Sequence, residues 1–169
     1  MPAVVPTWAL ALTFWFHLLA TITWIGSLFA IYVLVEPAAR RALAPVDHLA
    51  LVEGIQKRLE PIAWFSVSLL IVTGLFQMSV NPHYNGFLST SGQWSLAILS
   101  KHILVAILIA VSATHTWDVL PSIRRALMRK DKIDRLQLAS LQHREALLLR
   151  WSLVLAALIL LATAFARAS

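Results

Sequence analysis

The chain has 169 residues, of which 59% are hydrophobic and only 13% charged, with a formal net charge of +6. A soluble domain carries about a quarter charged residues, so an ordinary soluble globule is excluded and an all-α integral membrane protein is expected. Cysteine is absent, which excludes disulfides, thiolate metal sites and cysteine nucleophiles.

The N-terminal MPAVVPTW has no basic n-region and no small-residue cleavage site. The first apolar run is therefore expected to stay as a helix rather than leave as a signal peptide. A membrane-crossing helix needs about 20 apolar residues, and four runs qualify. The first runs from Trp8 to Val35 and is stopped by Glu36-Pro37. The second runs from Pro61 to Val80 and is stopped by Asn81-Pro82, the third from Trp94 to Leu120 and is stopped by Pro121, and the fourth from Leu147 to Ala166. Proline removes a backbone donor and clashes with the preceding turn, which is the reason for reading each as a stop. No internal repeat and no low-complexity stretch is evident, so one four-helix transmembrane bundle is the simplest architecture.

Charge sets the orientation. Arg40, Arg41, Lys57 and Arg58 lie between spans one and two; Arg124, Arg125, Arg129, Lys130, Lys132, Arg135 and Arg144 lie between spans three and four. The loop between spans two and three has neither Lys nor Arg. The positive-inside rule then predicts cytoplasmic first and third loops, with both termini outside. This placement explains the basic charge without nucleic acid, and makes anionic lipid heads the natural contact of the basic loops. Trp8 and Trp94 fall at the outer interface and Trp64, Trp117 and Trp151 at the inner one. The stretch VDHLALVEGIQKRLE has helical spacing with Asp47 as an expected N-cap. Asp131 or Asp134 is expected to start a helix running into the fourth span. His48, His83 and His143 fall in loops and are expected at the surface.

Ionisable groups within lipid are costly and mark functional sites by default. Three histidines and a lysine lie in the spans: His17, Lys101, His102 and His115. Counted from Trp8 and Trp94, the first three lie at one depth, about 10–14 Å below the outer edge, while His115 lies about 20 Å deeper. His17, Thr21, Trp24 and Leu28 form a stripe on one helix face, with Gly26 and Ser27 beside it to allow close approach of a helix or planar ligand. The functional reading is a haem b clamped between spans one and three, with His17 and His102 as axial ligands. Thr21, Trp24 and Gly26 would line it and Lys101 would pair with a propionate or substrate carboxylate. His115 would hold a second haem or relay protons, with His143 its nearest partner. Against these stand plainer roles: hydrogen-bonded packing for the histidines, an outward-reaching Lys101, and helix packing for the Trp24 stripe. Copper is the alternative cargo. It prefers soft ligands in its reduced state, and the chain offers only Met1, Met78 and Met128, of which Met78 alone lies near a histidine, His83.

The segment His17 to Phe29, with Trp24-Ile25-Gly26 and the run to Glu36-Pro37-Ala38-Ala39-Arg40-Arg41, resembles the first helix of a known superfamily. Thr73-Gly74-Leu75 resembles its second helix. Trp94, Lys101, His115 and Leu120-Pro121 resemble its third. This pattern resembles the copper-resistance protein D (CopD) superfamily and is similar to the HemJ-type protoporphyrinogen oxidases, over roughly residues 10 to 166. The resemblance implies a multi-pass protein of the bacterial inner membrane. For the HemJ branch it implies haem b and porphyrinogen oxidation, with important residues at His17 and Lys101; for the CopD branch it implies copper uptake. A haem-dependent electron-transfer or oxidase role is the leading expectation, with a quinone or protein redox partner, while copper uptake, a structural subunit of a larger complex and a homo-oligomer remain open.

Overall fold

The computed structural model describes residues 5–82, 84, 86, 90, 92–128 and 135–168, the last segment with the side chains of Arg135, Leu138 and Ala168 left aside. All regular structure among them is helical. The elements are α1 (Thr7–Phe29), α2 (Glu36–Ala42), α3 (Pro45–Ser79), α4 (Gln93–Thr114), α5 (Leu120–Met128) and α6 (Arg135–Ala168). π-Helical turns, Ala30–Val35 and His115–Val119, join α1 to α2 and α4 to α5. The result is four rods long and apolar enough to cross a membrane: Thr7–Ala42, Pro45–Ser79, Gln93–Met128 and Ala139–Arg167.

The rods run past two of the three expected proline stops. Pro37 and Pro121 both lie inside continuous helix. A proline ring collides with the carbonyl four residues back, which here belongs to Val33 and Trp117. Both carbonyls lie in a π turn. The wider turn lets Glu36 N–H reach Ile31 O and Leu120 N–H reach His115 O, five residues back in each case. Each proline is thus absorbed by a bulge instead of ending the helix. Only Asn81-Pro82 coincides with a true end, α3 closing at Ser79. Pro61 also lies inside α3, so the second span and the helix expected before it are one rod beginning at Pro45. Ala44 is its N-cap and Asp47 sits in its first turn, in place of the expected Asp47 cap. The Asp131 and Asp134 helix starts, and His83, lie outside the described residues.

α1 packs along α3 and α4 along α6; the two pairs meet through α6 against α1 and α5 against α3. One core cluster draws on all four rods: Trp24, Val67, Leu108, Leu155, Ala156 and Ile159. A second, of Leu49, Val119, Ile123, Ala126 and Leu141, closes the end that carries the basic loops. Elsewhere large apolar side chains point outward; Ile22, Phe65 and Val72 are each more than 60% exposed. In water such a surface would drive aggregation, whereas in a bilayer it is the solvated face. The composition therefore follows from the fold: a narrow interior and a wide lipid-facing shell.

Polar contacts concentrate at the basic end. Glu36, 5% exposed, accepts from Arg40 and from His48, whose Nε2 lies 2.8 Å away. Gln142 of α6 lies 3.3 Å from His48 Nδ1, and its carbonyl accepts from Arg40. His48 is 1% exposed, so this loop histidine is an interior residue, drawn in because α2 folds back on the first turn of α3. His143 is exposed as expected, but it lies within α6 and not in a loop. Glu145 is completely buried nearby, and among the described residues neither carboxylate oxygen has a hydrogen-bond partner. Arg124 pairs with Glu53 at 2.7 Å and Arg144 with Asp118 at 2.9 Å.

Candidate functional site

His17 is positioned by the second rod. Its Nδ1 lies 2.7 Å from Thr73 Oγ1, and Thr73 Oγ1 lies 2.6 Å from the Leu69 carbonyl oxygen. Two oxygens at that separation repel unless a proton lies between them, so the single hydroxyl proton of Thr73 goes to Leu69. Thr73 then accepts from His17 Nδ1–H. The imidazole is fixed in the tautomer that leaves Nε2 its lone pair, the form a metal or haem iron takes. Gly74 faces the ring: a Cβ at that position would stand 3.4 Å from His17 Cε1, at contact distance. One turn further along, Gln77 Nε2 donates to the Thr13 carbonyl at 3.3 Å and pins the two rods together.

The other predicted residues divide. Lys101, partly buried on α4, is close enough to interact electrostatically with His17. His102 donates Nδ1–H to the Ile98 carbonyl of its own helix at 2.7 Å. Thr21 donates to the His17 carbonyl at 2.8 Å, a bond within α1. Trp24 is 5% exposed and belongs to the central core. Gly26 is exposed, and an added Cβ there would meet nothing within 4 Å. The close approach expected at Gly26 is therefore not made there. Among the described residues no group of three or more His, Asp or Glu side chains stands together in a way that could hold a metal ion.

His115 occupies a separate place at the start of the second π turn. It is 9% exposed, and its Nε2 has no hydrogen-bond partner among the described residues. Leaving such a nitrogen unpaired costs about 1–3 kcal/mol. His115 lines a cleft of about 60 Å³ together with Trp24, Ser27, Glu60, Trp64 and Ser112. The Trp64 ring stacks on Trp117 beside it, centroids 5.5 Å apart and planes 10° apart.

Sequence reasoning found the histidines but not what holds them. Thr73 was legible as a small polar residue in span two, yet its bond to His17 crosses 56 positions. Glu36 was read as the stop of span one and Glu60 as the end of the helical stretch before span two, while Glu145 was not singled out. Their burial or unpaired state arises only when the rods assemble.

No curated protein and no solved structure matches the chain. The Copper resistance protein D (CopD) family profile matches residues 53–167, which takes in Thr73, Gly74, Lys101, His102 and His115 and leaves His17 and Trp24 before its start. With that profile covering more than half of its length, and with four apolar rods to carry it across the bilayer, the chain belongs to the copper resistance protein D family of multi-pass inner-membrane proteins.

Proposed function

We propose that this protein handles copper at the inner membrane, taking the ion at His17 in the half of the bundle remote from the basic loops. The observation that carries the reading is the anchoring of His17 by Thr73, which leaves the Nε2 lone pair to bind a copper ion. Family membership supplies the cargo. Imidazole binds copper in either oxidation state, so a chain without cysteine still has a suitable ligand. Lys101 within electrostatic range weakens the hold on a cation. A weakened hold suits a station that must release its cargo, since passage requires sites that bind but let go. With the basic loops cytoplasmic, His17 faces the outer half, where incoming copper would be met.

The same Lys101 favours a second reading. A fixed ammonium beside an imidazole suits an anionic ring substituent better than a metal ion. Haem b would then be held at iron by His17 Nε2, with a propionate on Lys101, and when bound would supply one-electron transfer. Porphyrinogen oxidation would use the same two residues. His102, turned to its own helix carbonyl, does not strengthen this reading.

One preparation separates them. The purified full chain, loaded with copper and desalted, is expected to retain copper and to be colourless in the Soret region, with copper lowered in His17→Ala. A Soret band that disappears in His17→Ala, without retained copper, overturns the copper reading in favour of haem.

A further inference from the structure

At the end that carries the basic loops, three rods bring ionisable groups into one dry interior. They are Glu36 on α2, His48 on α3 and Glu145 on α6, exposed by 5%, 1% and 0%. The hydrogen bonds fix where the protons of the first two lie. Gln142 Nε2 faces both the Pro45 carbonyl oxygen at 3.4 Å and His48 Nδ1 at 3.3 Å, and an amide nitrogen only donates. His48 Nδ1 therefore accepts, and its Nε2–H donates to Glu36 Oε2 at 2.8 Å. The other Glu36 oxygen accepts from Arg40. Neutral imidazole, one carboxylate and one guanidinium make a balanced set.

Glu145 lies one helical turn from Gln142 on the same face of α6, and both its oxygens are buried without a partner among the described residues. It is close enough to Glu36 and Arg40 to interact electrostatically with both, but that guanidinium already serves Glu36. The other elements against α6 commit their charges elsewhere. Tyr32 of the first π turn meets Arg150, Asp118 of the second meets Arg144, and Arg124 of α5 meets Glu53. His115 shares its cleft with Ser152, about two turns further along α6. Lys101 of α4 lies near Arg167 at the far end. An ionised Glu145 would thus be a second buried carboxylate with no cation of its own, far costlier than a neutral carboxyl group without partners.

We propose that Glu145 is a proton-binding site: the closed bundle holds one proton on its carboxyl group, and release of that proton parts α6 from α2. Release breaks the O–H bond and passes the proton to water at the edge where Arg40 is exposed. Two carboxylates then face each other in a medium that screens them poorly, and they repel. Buried carboxyl groups within membrane bundles serve as proton stations for this reason. The proposal does not depend on the cargo of His17, and the failure of either leaves the other standing.

The purified full chain in detergent tests both parts. Infrared spectroscopy reads the carbonyl stretch of a protonated carboxyl group. Cysteine is absent from the chain, so cysteines introduced at exposed Ala38 and His143, one on each side of the seam, carry the only spin labels. Pulsed electron paramagnetic resonance then reads the distance between them. The wild type is expected to show a carboxyl band that is lost as pH rises, and the label distance is expected to lengthen with that loss. Glu145→Gln is expected to lack the band and to keep the short distance at every pH. Glu145→Met, which needs no hydrogen bond, gives the same reading if the glutamine variant folds badly. A band unchanged in both variants overturns the proton site. A label distance that ignores pH in the wild type, or that lengthens equally in the variants, overturns the parting of α6 from α2.

Discussion

Replacing Glu145 by methionine is expected to stabilise the protein. Glu145 is completely buried against α6's neighbours, and both its oxygens lack donors. Burying a polar group without its hydrogen bonds costs about 1–3 kcal/mol. The charges around it do little to offset this, because Glu36 and Arg40 act on it with opposite sign. Methionine has a similar reach, no polar demand and enough rotatable bonds to fill the same volume. Replacing a buried group that lacks hydrogen bonds by an apolar one of like size removes that penalty. Allowing for imperfect repacking, Glu145→Met should gain about 1–2 kcal/mol. For a chain of this size that is about 2–8 °C in Tm. The assay is thermal unfolding of the detergent-solubilised protein followed by helix circular dichroism, with Glu145→Gln alongside. A fall in Tm for Glu145→Met with Glu145→Gln unchanged would show that Glu145 makes a stabilising polar contact, and would refute the reasoning.

Thr73→Val keeps the volume but removes the acceptor of His17 Nδ1–H, and should weaken copper binding at His17 about 10–100-fold, the usual effect of losing a ligand-orienting partner; equilibrium copper titration of the purified protein reads it. Leu108→Ala opens a cavity where all four rods meet and should cost about 2–5 kcal/mol, seen in the same unfolding assay. Arg144→Ala removes only an ion pair whose two side chains are each more than half exposed, and should leave Tm within about 1 °C, since exposed pairs contribute little.

The four rods were legible because bilayer thickness imposes a length on apolar runs, and no other feature of the chain competes with that signal. The helix ends near Pro37 and Pro121 were not, because the proline rule assumes an α-helical hydrogen-bond pattern and a single inserted residue satisfies the ring without a break. His48 was misjudged for a related reason: a residue between spans is read as solvated, but α2 folds onto α3 and takes it inside with Glu36. Of the candidate sites, the residue types of His17 and His115 and their places along the rods were visible. Their environments were not. Whether an imidazole is anchored, as His17 is by Thr73, or left with an empty nitrogen, as His115 is, depends on partners from other rods. The same holds for glycine, where Gly26 faces open space and Gly74 lies against the His17 ring.

The two π turns have a consequence for the ends of the rods. Each is followed by the same string, Pro-x-x-Arg-Arg, at Pro37 to Arg41 and at Pro121 to Arg125. The spacing that separates Pro37 from Pro121 also separates Ile31 from His115 and His17 from Lys101. A proline absorbed by a wider turn, with two arginines one turn beyond it, therefore carries both the first and the third rod past the apolar span without a break. The arginines are held on rigid helix, so the positive charge at this end of the bundle keeps a fixed distance from the core.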